Sequence, residues 1–459
     1  MSLPRRPGVW ALVVMWPFRT LAAEPPSGLP LAADPLVREI VEAAWVQLPE
    51  LLAARAAVQA ASVDARAARA LPDPVLSFGI QNDGFTSIQI GSMESSYLTV
   101  MGTQTFPWPG KLELRANVAK LGARQAAADL ERAGLSVRAA VERAFVELVW
   151  ARDQRELVGE LQVLWARAER FADGRYRSGS GSQGDVLRAQ LELGRLEQRA
   201  WSVEADEARQ IIALNRLAGR PHDNAIPATR PLLAFPEPVF ETDPEILSPE
   251  LARLSLATDE AAELERLAEK DFYPDISVGV GIMPRWGQFE PMWQANVAFA
   301  IPVWAASKQS AALEASRLRA KSARRLTEAF RSLLRQRVRE RQERLEALRK
   351  INSLYRDGLL VQASAVASSA LAQYEAGQAA FSAVLSALNA YVADVSSFHA
   401  SLATVQRIGI ADREVSVEPT PAFAVASGSG MPSAEPGLGE PPPSSGASSQ
   451  MSSEPTEGM

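Results

Sequence analysis

The side chains that usually carry catalysis or bind metals are scarce in this sequence. His222 and His399 are the only histidines, and they lie far apart without an acidic residue at ligand spacing. The chain has no cysteine, which excludes disulfides, thiolate ligands, a cysteine nucleophile and a lipidated N-terminal cysteine. No phosphate-binding loop, nucleophile elbow or zinc motif is present. The sequence therefore predicts a protein that is not an enzyme and that has no cofactor or metal site.

One pattern of residues does recur, and its residue types favour a turn or a contact surface. Its two copies are separated by 198 residues (374 − 176): Tyr176, Gly179, Val186 and Leu187, and then Tyr374, Gly377, Val384 and Leu385. Glycine at a break between helices lets two backbones approach closely, and Val-Leu restarts an apolar seam. The pattern indicates the tip of a helical hairpin, present twice. It is equally compatible with residues that only turn the chain.

Two long stretches without proline must carry these tips. Each stretch exceeds a hundred residues, the first between Pro109 and Pro221 and the second between Pro302 and Pro419. The first opens with about sixty residues rich in Ala, Leu, Arg and Glu, enough for a helix of roughly 90 Å. Glycine-containing breaks interrupt both stretches. The sequence predicts two long antiparallel helical hairpins with coiled-coil-like packing, the tips lying near 174–187 and 374–385.

Short segments with strand-like alternation precede each helical stretch. Leu76, Phe78 and Ile80 occupy one face of the first segment, and Ile276, Val278, Val280 and Ile282 occupy one face of the third. A segment near 95–106 and another near 293–301 supply the second member of each pair. Each segment approaches the ~9 to 11 residues that a tilted strand needs to cross a membrane. Four strands cannot close by themselves, so insertion in lipid requires several chains to share one β-barrel.

The two ends of the chain differ in character from the middle. Arg5 and Arg6 precede an apolar stretch and then Ala22 and Ala23, which is typical of a secretory signal peptide. The last forty residues are dominated by Pro, Ser, Gly and Glu, a composition that favours disorder. The net charge of −6 gives no indication of nucleic-acid binding.

These features predict a mostly helical α+β chain with an internal two-fold repeat. Its predicted segments are a signal peptide over 1–23, an N-terminal periplasmic helical segment over 24–74, a first β-pair over 75–107, a first hairpin over 108–220, a connector and helix over 221–274, a second β-pair over 275–304, a second hairpin over 305–411 and a disordered tail over 412–459.

Over residues 35–410 the chain resembles the TolC-type outer-membrane factors. The resemblance rests on the duplicated Tyr-x-x-Gly-x6-Val-Leu tip and on two proline motifs, Leu71-Pro-Asp-Pro74 and Phe106-Pro-Trp-Pro-Gly-Lys111. The proline motifs are most similar to the branch that serves heavy-metal efflux pumps of the resistance-nodulation-division type. The resemblance implies a homotrimer in the outer membrane of a Gram-negative bacterium, with a shared β-barrel in lipid and a helical barrel in the periplasm. A periplasmic adaptor and an inner-membrane pump are the implied partners.

The resemblance also assigns roles to particular residues. It assigns adaptor contact and the constricted tip to Arg175, Tyr176, Gly179, Asp185, Val186, Leu187, Tyr374, Gly377, Val384 and Leu385. The candidate aperture residues are Asp185 and Ser386, although Asp185 is equally suited to cap the helix that follows it. The junction between barrel and helices falls on Phe106, Pro107, Pro109, Gly110, Lys111 and Pro302.

Three functional hypotheses follow. The first is a passive trimeric exit duct for heavy-metal cations. The same duct would also serve drug efflux or type I protein secretion. A soluble periplasmic coiled-coil scaffold or adaptor, with the strands in a small globular domain, is the alternative from another class.

Overall fold

Two helical hairpins and a four-stranded antiparallel sheet dominate the structure. The computed structural model describes residues 30–240 and 244–418. The predicted signal peptide and the predicted tail beyond residue 418 lie outside these residues. The mostly helical α+β fold class is confirmed. No helix in the described part of the chain combines the length and the apolar character that a membrane-spanning helix requires.

Proline, glycine and capping residues determine where many of the described helices begin and end. They are α1 (Pro35–Gln47), α2 (Pro49–Ala67), α3 (Lys111–Arg177), α4 (Gln183–Leu217), α5 (Pro244–Leu247), α6 (Pro249–Lys270), α7 (Ser310–Leu354), α8 (Leu360–Glu375) and α9 (Phe381–Arg413). Proline occupies the first turn of α1, α2 and α6, where its missing N–H has no helical partner in any case. At 67 residues α3 is roughly 100 Å long.

The two hairpins are α3 with α4 and α7–α8 with α9. Within the second hairpin, a π-helical turn at Tyr355–Leu359 joins α7 to α8. The buried side chains along α7 and α8 follow one seam, which runs through Arg341, Leu345, Leu348, Asn352, Tyr355, Leu360, Ala367, Leu371 and Tyr374. Steps of three, four or seven residues separate its members except between Tyr355 and Leu360, where the π-helical turn accommodates a step of five.

The sheet contains β1 (Val75–Gln81), β2 (Tyr97–Phe106), β3 (Ile276–Met283) and β4 (Met292–Phe299) in sequential order. Val75 pairs with Thr103, Phe106 with Ile276, and Ser277 with Ala298. The pairing of β2 with β3 therefore joins the two halves of the chain.

Only one of the four strands reaches the ~9 to 11 residues that a tilted strand needs to cross a membrane. β2 has ten residues, whereas β1 has seven and β3 and β4 have eight each. Asn82 ends β1 because its side chain hydrogen-bonds Gly84 O, Ser87 O and Gln89 N in the loop. Pro284 follows β3 and has no N–H to continue the ladder.

Two large apolar clusters hold the helices together. One packs α1, α3, α4 and the end of α9 around Phe145, whose ring meets Phe235 edge-on at 6.1 Å. The other lies nearer the hairpin tips and packs α3, α4, α8 and α9 around Trp165 and Phe381. Since α3 belongs to both clusters, it connects the middle of the molecule to the tips.

The connector between the hairpins is fixed to α3 by polar contacts. Arg152 pairs with Glu207 at 2.9 Å and donates to the carbonyl oxygens of Ile226 and Pro227. The neighbouring Asp153 is buried and accepts from Leu232 N at 2.9 Å. The pKa of Asp153 is raised to about 7, mainly by burial and also by the negative charge of Glu156. The hydrogen bond from Leu232 N acts in the opposite direction and lowers this pKa.

The predicted boundary of the tail at residue 412 is wrong. α9 continues to Arg413, and Asp412 and Val415 are buried. Glu414 binds Arg143 at 2.7 Å, and the buried Arg341 donates to Ser416 O. The change in composition comes later, in the last forty residues, whereas the packing of residues 412–418 depends on arginines from helices far away in sequence.

Replacement of Gly134 tests the packing of α1 on α3. A Cβ atom at Gly134 would lie within 2.6 Å of Trp45 Cη2, whereas one at Gly159 on the same helix meets nothing within 4 Å. We expect Gly134→Ala to lower the free energy of unfolding by about 1–2 kcal/mol through overpacking. Gly159→Ala should raise it by up to about 1 kcal/mol, because alanine favours a helix. Thermal unfolding of the purified variants measures both, and shifts of the same sign would contradict this packing.

Replacement of Asp153 tests the buried carboxyl. Its folded pKa of about 7 exceeds the ordinary value of 3.8, so folding favours the protonated form. Stability from this group is therefore present below about pH 4 and is lost as the pH rises to about 7. Asp153→Asn keeps an acceptor for Leu232 N but does not titrate. The variant therefore avoids this loss of stability, which is at most about 4 kcal/mol. We expect the variant to unfold at a higher temperature than the parent at pH 8 and at nearly the same temperature at pH 4. Asp129→Asn, on the same helix, controls for the loss of one carboxylate.

Candidate functional site

The first hairpin tip is a tight turn between α3 and α4. Gly179 has φ +74°, a left-handed conformation that glycine adopts without strain. Ser180 N and Gly181 N both donate to Arg175 O, at 2.9 and 3.0 Å, and so satisfy the end of α3. The side chain of Ser182 accepts from Gly184 N at 3.0 Å and caps the start of α4.

The sequence suggested that Asp185 could cap this helix, but it does not. It lies in the first turn of α4, where a carboxylate interacts favourably with the helix dipole, and its nearest cation is Arg188 at 3.9 Å. The capping residue is Ser182, three positions earlier. Ser182 and Asp185 together have the spacing of a capping box, which is the signal in the sequence that identifies the true cap.

The second tip repeats the geometry of the first. Gly377 has φ +76°, and Gln378 N donates to Gln373 O at 2.8 Å. α8 ends at Glu375 and α9 begins at Phe381, so both predicted turns lie within the predicted ranges. Glycine is required at both turns for the same reason, the left-handed backbone.

The two tips are joined by contacts between α3 and the end of α8. The guanidinium of Arg175 lies 4.9 Å from the ring centroid of Tyr374 and donates to Tyr374 O at 3.1 Å and to Ser180 O at 3.1 Å. Arg167 binds both carboxylate oxygens of Glu375, at 2.8 and 3.0 Å. A cation over a ring and a bidentate ion pair together fix the orientation of one tip against the other.

A cleft of about 360 Å³ lies between the tips, and its walls include Asp185, Arg188 and Tyr374. Burial raises the pKa of Tyr374, and the charge of Asp185 raises it further while Arg175 opposes the shift. The Tyr374 hydroxyl is buried without a hydrogen-bond partner among the described residues. The other predicted aperture residue, Ser386, is exposed on α9 and does not line this cleft.

Equivalent residues of the duplicated pattern have unequal environments. Val186 and Val384 are both buried. Tyr374 is 1% exposed, whereas Tyr176 is 47% exposed. Leu385 is partly buried against the apolar cluster near the tips, whereas its counterpart Leu187 is 57% exposed. The sequence pattern therefore marks the positions of the tips, and the packing between hairpins decides which copy is covered.

Some residues that make contacts at the tips were not predicted from the sequence. Phe381 packs on Tyr374 with ring centroids 5.3 Å apart and on Trp165 at 6.2 Å. Its counterpart in the first half is Gln183, so the repeat gave no signal for it. Arg167 and Glu375 stand among many charged residues that only face solvent, and nothing local distinguishes them.

The junction between sheet and helices brings the two halves together at the other end of α3. Lys111 is 4% exposed and its Nζ contacts Asp275 at 2.9 Å, Asp271 at 3.3 Å and Tyr273 O at 3.2 Å. Trp108 stacks on Tyr273 at 5.1 Å and donates its backbone N–H to Asp275. Burial alone would raise the pKa of Asp275, but these donors and the charge of Lys111 lower it.

The other predicted junction residues surround this lysine. Gly110, with φ +92°, precedes α3 in the left-handed region, and Phe106 ends β2. Pro107 and Pro109 flank Trp108, and Pro302 precedes a π-helical turn at Ala305–Gln309 in the second half. Asp271 and Asp275 were not predicted as partners of Lys111.

No group of three or more His, Cys, Asp or Glu side chains within residues 30–240 and 244–418 could hold a metal ion. His399 contacts Gln154 at 3.5 Å, and burial lowers its pKa to about 4. The imidazole is therefore neutral at neutral pH, and its residue is partly buried.

Comparison with known proteins gives the fold. A family model for "Outer membrane efflux protein" matches residues 40–220, from α1 through the first tip to the end of α4. The structure is similar to that of CusC, a protein whose transmembrane channel formation has been described, with a TM-score of 0.72, 16% identity and coverage of 84% of this chain and 93% of CusC. The chain has the fold of an outer-membrane channel.

Other structures of this fold match over a similar share of this chain. VceC, an outer-membrane protein of Vibrio cholerae, matches with a TM-score of 0.68, 17% identity, 83% of this chain and 94% of its own. The CmeC outer-membrane channel of Campylobacter jejuni matches with a TM-score of 0.69, 12% identity, 83% of this chain and 86% of its own. At these identities the likeness is one of fold. Among curated protein sequences, none matches the chain.

Replacement of Arg175 tests the contact between the tips. Removing the cation over Tyr374 and two hydrogen bonds should cost about 1–2 kcal/mol of local stability, so amides over 373–381 should exchange roughly tenfold faster. We expect this effect in Arg175→Ala, measured by hydrogen–deuterium exchange of the purified protein. Arg177→Ala is the control, because its side chain is 77% exposed and pairs with Asp173 on its own helix. Equal exchange in the two variants would contradict the role of Arg175.

Proposed function

We propose that this chain is the outer-membrane channel of a tripartite efflux system, a passive exit duct that three copies build together. The matched efflux-protein family model and the fold of the CusC, VceC and CmeC structures support this role. Transport energy would come from an inner-membrane pump of the resistance-nodulation-division type, and a periplasmic adaptor would connect the pump to the duct.

The exposure of the sheet is the observation that carries the proposal. Every residue of β1 and β4 is exposed, and the exposed fractions of Phe78, Trp293 and Ile80 are 74%, 77% and 69%. β3 adds Val280 and Ile282 to the exposed apolar surface. A contiguous apolar surface of this kind is rare on soluble monomers and typical of a surface that meets lipid or another chain. This surface favours insertion in the outer membrane, with the helices in the periplasm after removal of a signal peptide.

The tips are the proposed docking surface for the adaptor. They are the ends of two helical hairpins furthest from the sheet, and they expose Tyr176, Leu187 and the backbone around both glycines. Asp185 and Ser386 are proposed to line the aperture where the tips of three chains meet. Rings of polar or acidic side chains in such a constriction favour the passage of cations.

Heavy-metal cations are the proposed cargo. The resemblance of the two proline motifs to the branch that serves heavy-metal efflux pumps supports this choice over organic compounds or secreted proteins. The metal would pass through the duct as cargo, so the proposal requires no metal ligands within it. Drug efflux and type I secretion are the alternative uses of the same duct.

A soluble periplasmic scaffold is the second candidate function, and the sheet disfavours it. In a small globular domain one face of the strands would be packed on helices, whereas β1 and β4 are exposed along their whole length. The presence of two equivalent hairpins also fits a closed ring of helices better than an adaptor with a single hairpin.

Fractionation of the expressing cells tests the proposal. We expect the protein in the outer-membrane fraction as a detergent-soluble trimer. Unboiled and boiled samples should migrate differently on a gel, because boiling unfolds the trimer. The purified trimer should conduct ions in planar bilayers. A strain lacking the protein should become more sensitive to heavy-metal cations, and sensitivity to organic compounds alone would favour the drug-efflux alternative. A monomer found only in the soluble periplasm would overturn the duct and favour the scaffold.

A further inference from the structure

The methionines in the described part of the chain are concentrated at one end of the sheet. Met283 ends β3 and Met292 begins β4, and the two residues pair directly across the strands. Met101 lies in β2 opposite Gly281, two residues before Met283. The fourth, Met93, lies in the loop before β2. Paired residues have Cβ atoms about 4.5–5.5 Å apart and diagonal neighbours about 7–8 Å, so the long side chains of the three strand methionines can reach one another.

The three strand methionines lie on the polar face of the sheet. Side chains alternate along a strand, so the observed register places Met101, Met283 and Met292 on one face. The same face carries Ser77, Thr99, Thr103, Thr105, Ser277, Gln294 and Asn296. The exposed apolar side chains, such as Val280 and Trp293, are on the opposite face. Methionines that served only to contact lipid would lie on that opposite face.

Gly281 makes room for the side chain of Met101. A Cβ atom at Gly281 would lie 3.1 Å from Met101 Cβ and 3.3 Å from Met101 Cγ, so the Met101 side chain extends over this glycine. From β4, Gln294 Nε2 donates to Met101 Sδ at 3.6 Å. A thioether sulfur is a weak acceptor with two lone pairs, so this contact leaves one lone pair for a further partner. The sulfur is thus held above β3, beside the pair formed by Met283 and Met292.

The burial of these side chains suits a soft metal ion. Met283 is 6% exposed and Met101 is half-buried, whereas Met292 is 36% exposed and leaves a way in from solvent. Thioethers are neutral, polarizable ligands that select soft cations such as Cu(I), whereas Mg²⁺, Ca²⁺ and Mn²⁺ prefer oxygen ligands. The described residues contain no cluster of His, Cys, Asp and Glu that would hold a harder ion here. The site would therefore discriminate by the softness of the ion rather than by its charge.

We propose that Met101, Met283 and Met292 form a binding site for a soft monovalent cation with the chemistry of Cu(I). Binding needs only the sheet of one chain. The place of the site in a channel rests on the proposed function, because the polar face turns to the inside of a barrel only if the apolar face meets lipid. A cation in the duct would then meet the thioethers at the end of the sheet furthest from the helices. Three neutral ligands hold an ion without trapping it, and conduction requires such reversible binding.

Binding of Ag(I) to the purified full-length chain tests the site. Ag(I) is a soft monovalent cation that is stable in air, and a chloride-free buffer keeps it in solution. Equilibrium dialysis in detergent should give one Ag(I) per chain, without competition from Mg²⁺. The double variant Met283→Leu with Met292→Leu, and the single variant Met101→Leu, should bind at least about tenfold more weakly because the lost thioethers have no replacement ligand. Leucine nearly conserves the volume of methionine, so the sheet should keep its packing.

The matched control is Met93→Leu. It makes the same substitution at the same end of the sheet, but in a loop, where the side chain is 45% exposed and outside the polar face. We expect this variant to bind Ag(I) as tightly as the parent. X-ray absorption of the parent loaded with Cu(I) should show sulfur ligands, and the double variant should show fewer of them.

The outcomes separate the site from the proposed function. Weaker binding in the double variant and in Met101→Leu, but not in Met93→Leu, supports the site. Unchanged binding in the double variant, an equal loss in Met93→Leu, or copper bound without sulfur ligands overturns it. Trimers that conduct ions but bind no Ag(I) overturn the site and leave the duct standing. A periplasmic monomer that binds Ag(I) through these methionines overturns the duct and leaves the site standing.

Discussion

The packing of α3 is the constraint on which the rest of the structure depends. A helix of roughly 100 Å cannot bury its apolar residues within itself, so it needs partners along its whole length. α2 and α6 cover the part near the sheet, α1 covers the middle, and α4 and α9 cover the part from the middle to the tip. Because the partners come from both halves of the chain, α3 holds the two repeats together. Each of its ends carries a contact between the halves, Lys111 with Asp275 at one end and Arg175 with Tyr374 at the other.

Charged residues in the interior fix the order of the helices along this frame. Glu142 of α3 is 1% exposed and binds Arg138 of its own helix and Arg413 of α9. Arg341 of α7 is equally buried and reaches the segment after α9. Such groups add little net stability, but an alternative helix register would leave them without partners and would cost several kcal/mol each. Buried polar contacts therefore specify which helices meet, while the apolar clusters provide most of the stability.

Much of the fold could be predicted from the sequence, because its signals are local. The absence of proline over long stretches, the paired glycines at the tips and the alternation in the strands each act within a few turns of the chain. The environments of the predicted site residues could not be predicted in the same way. Tyr176 and Tyr374 have the same local sequence pattern, and only the packing of α3 against α8 buries one of them. The packing of residues 412–418 was missed for the same reason, since Arg143 and Arg341, which bind this segment, lie in other helices.

The π-helical turn at Tyr355–Leu359 has a consequence for how this chain can vary. Each residue inserted in or removed from a helix rotates everything beyond it by roughly 100° about the axis. The five-residue step between Tyr355 and Leu360 compensates the drift of the seam, so that Leu371 and Tyr374 still point into the hairpin. The number of residues between the sheet and the tip thus determines which face of the second hairpin points inward near the tip. Substitutions along its outer face do not change this orientation, whereas a single deletion in the π-helical turn would turn Tyr374 away from Arg175.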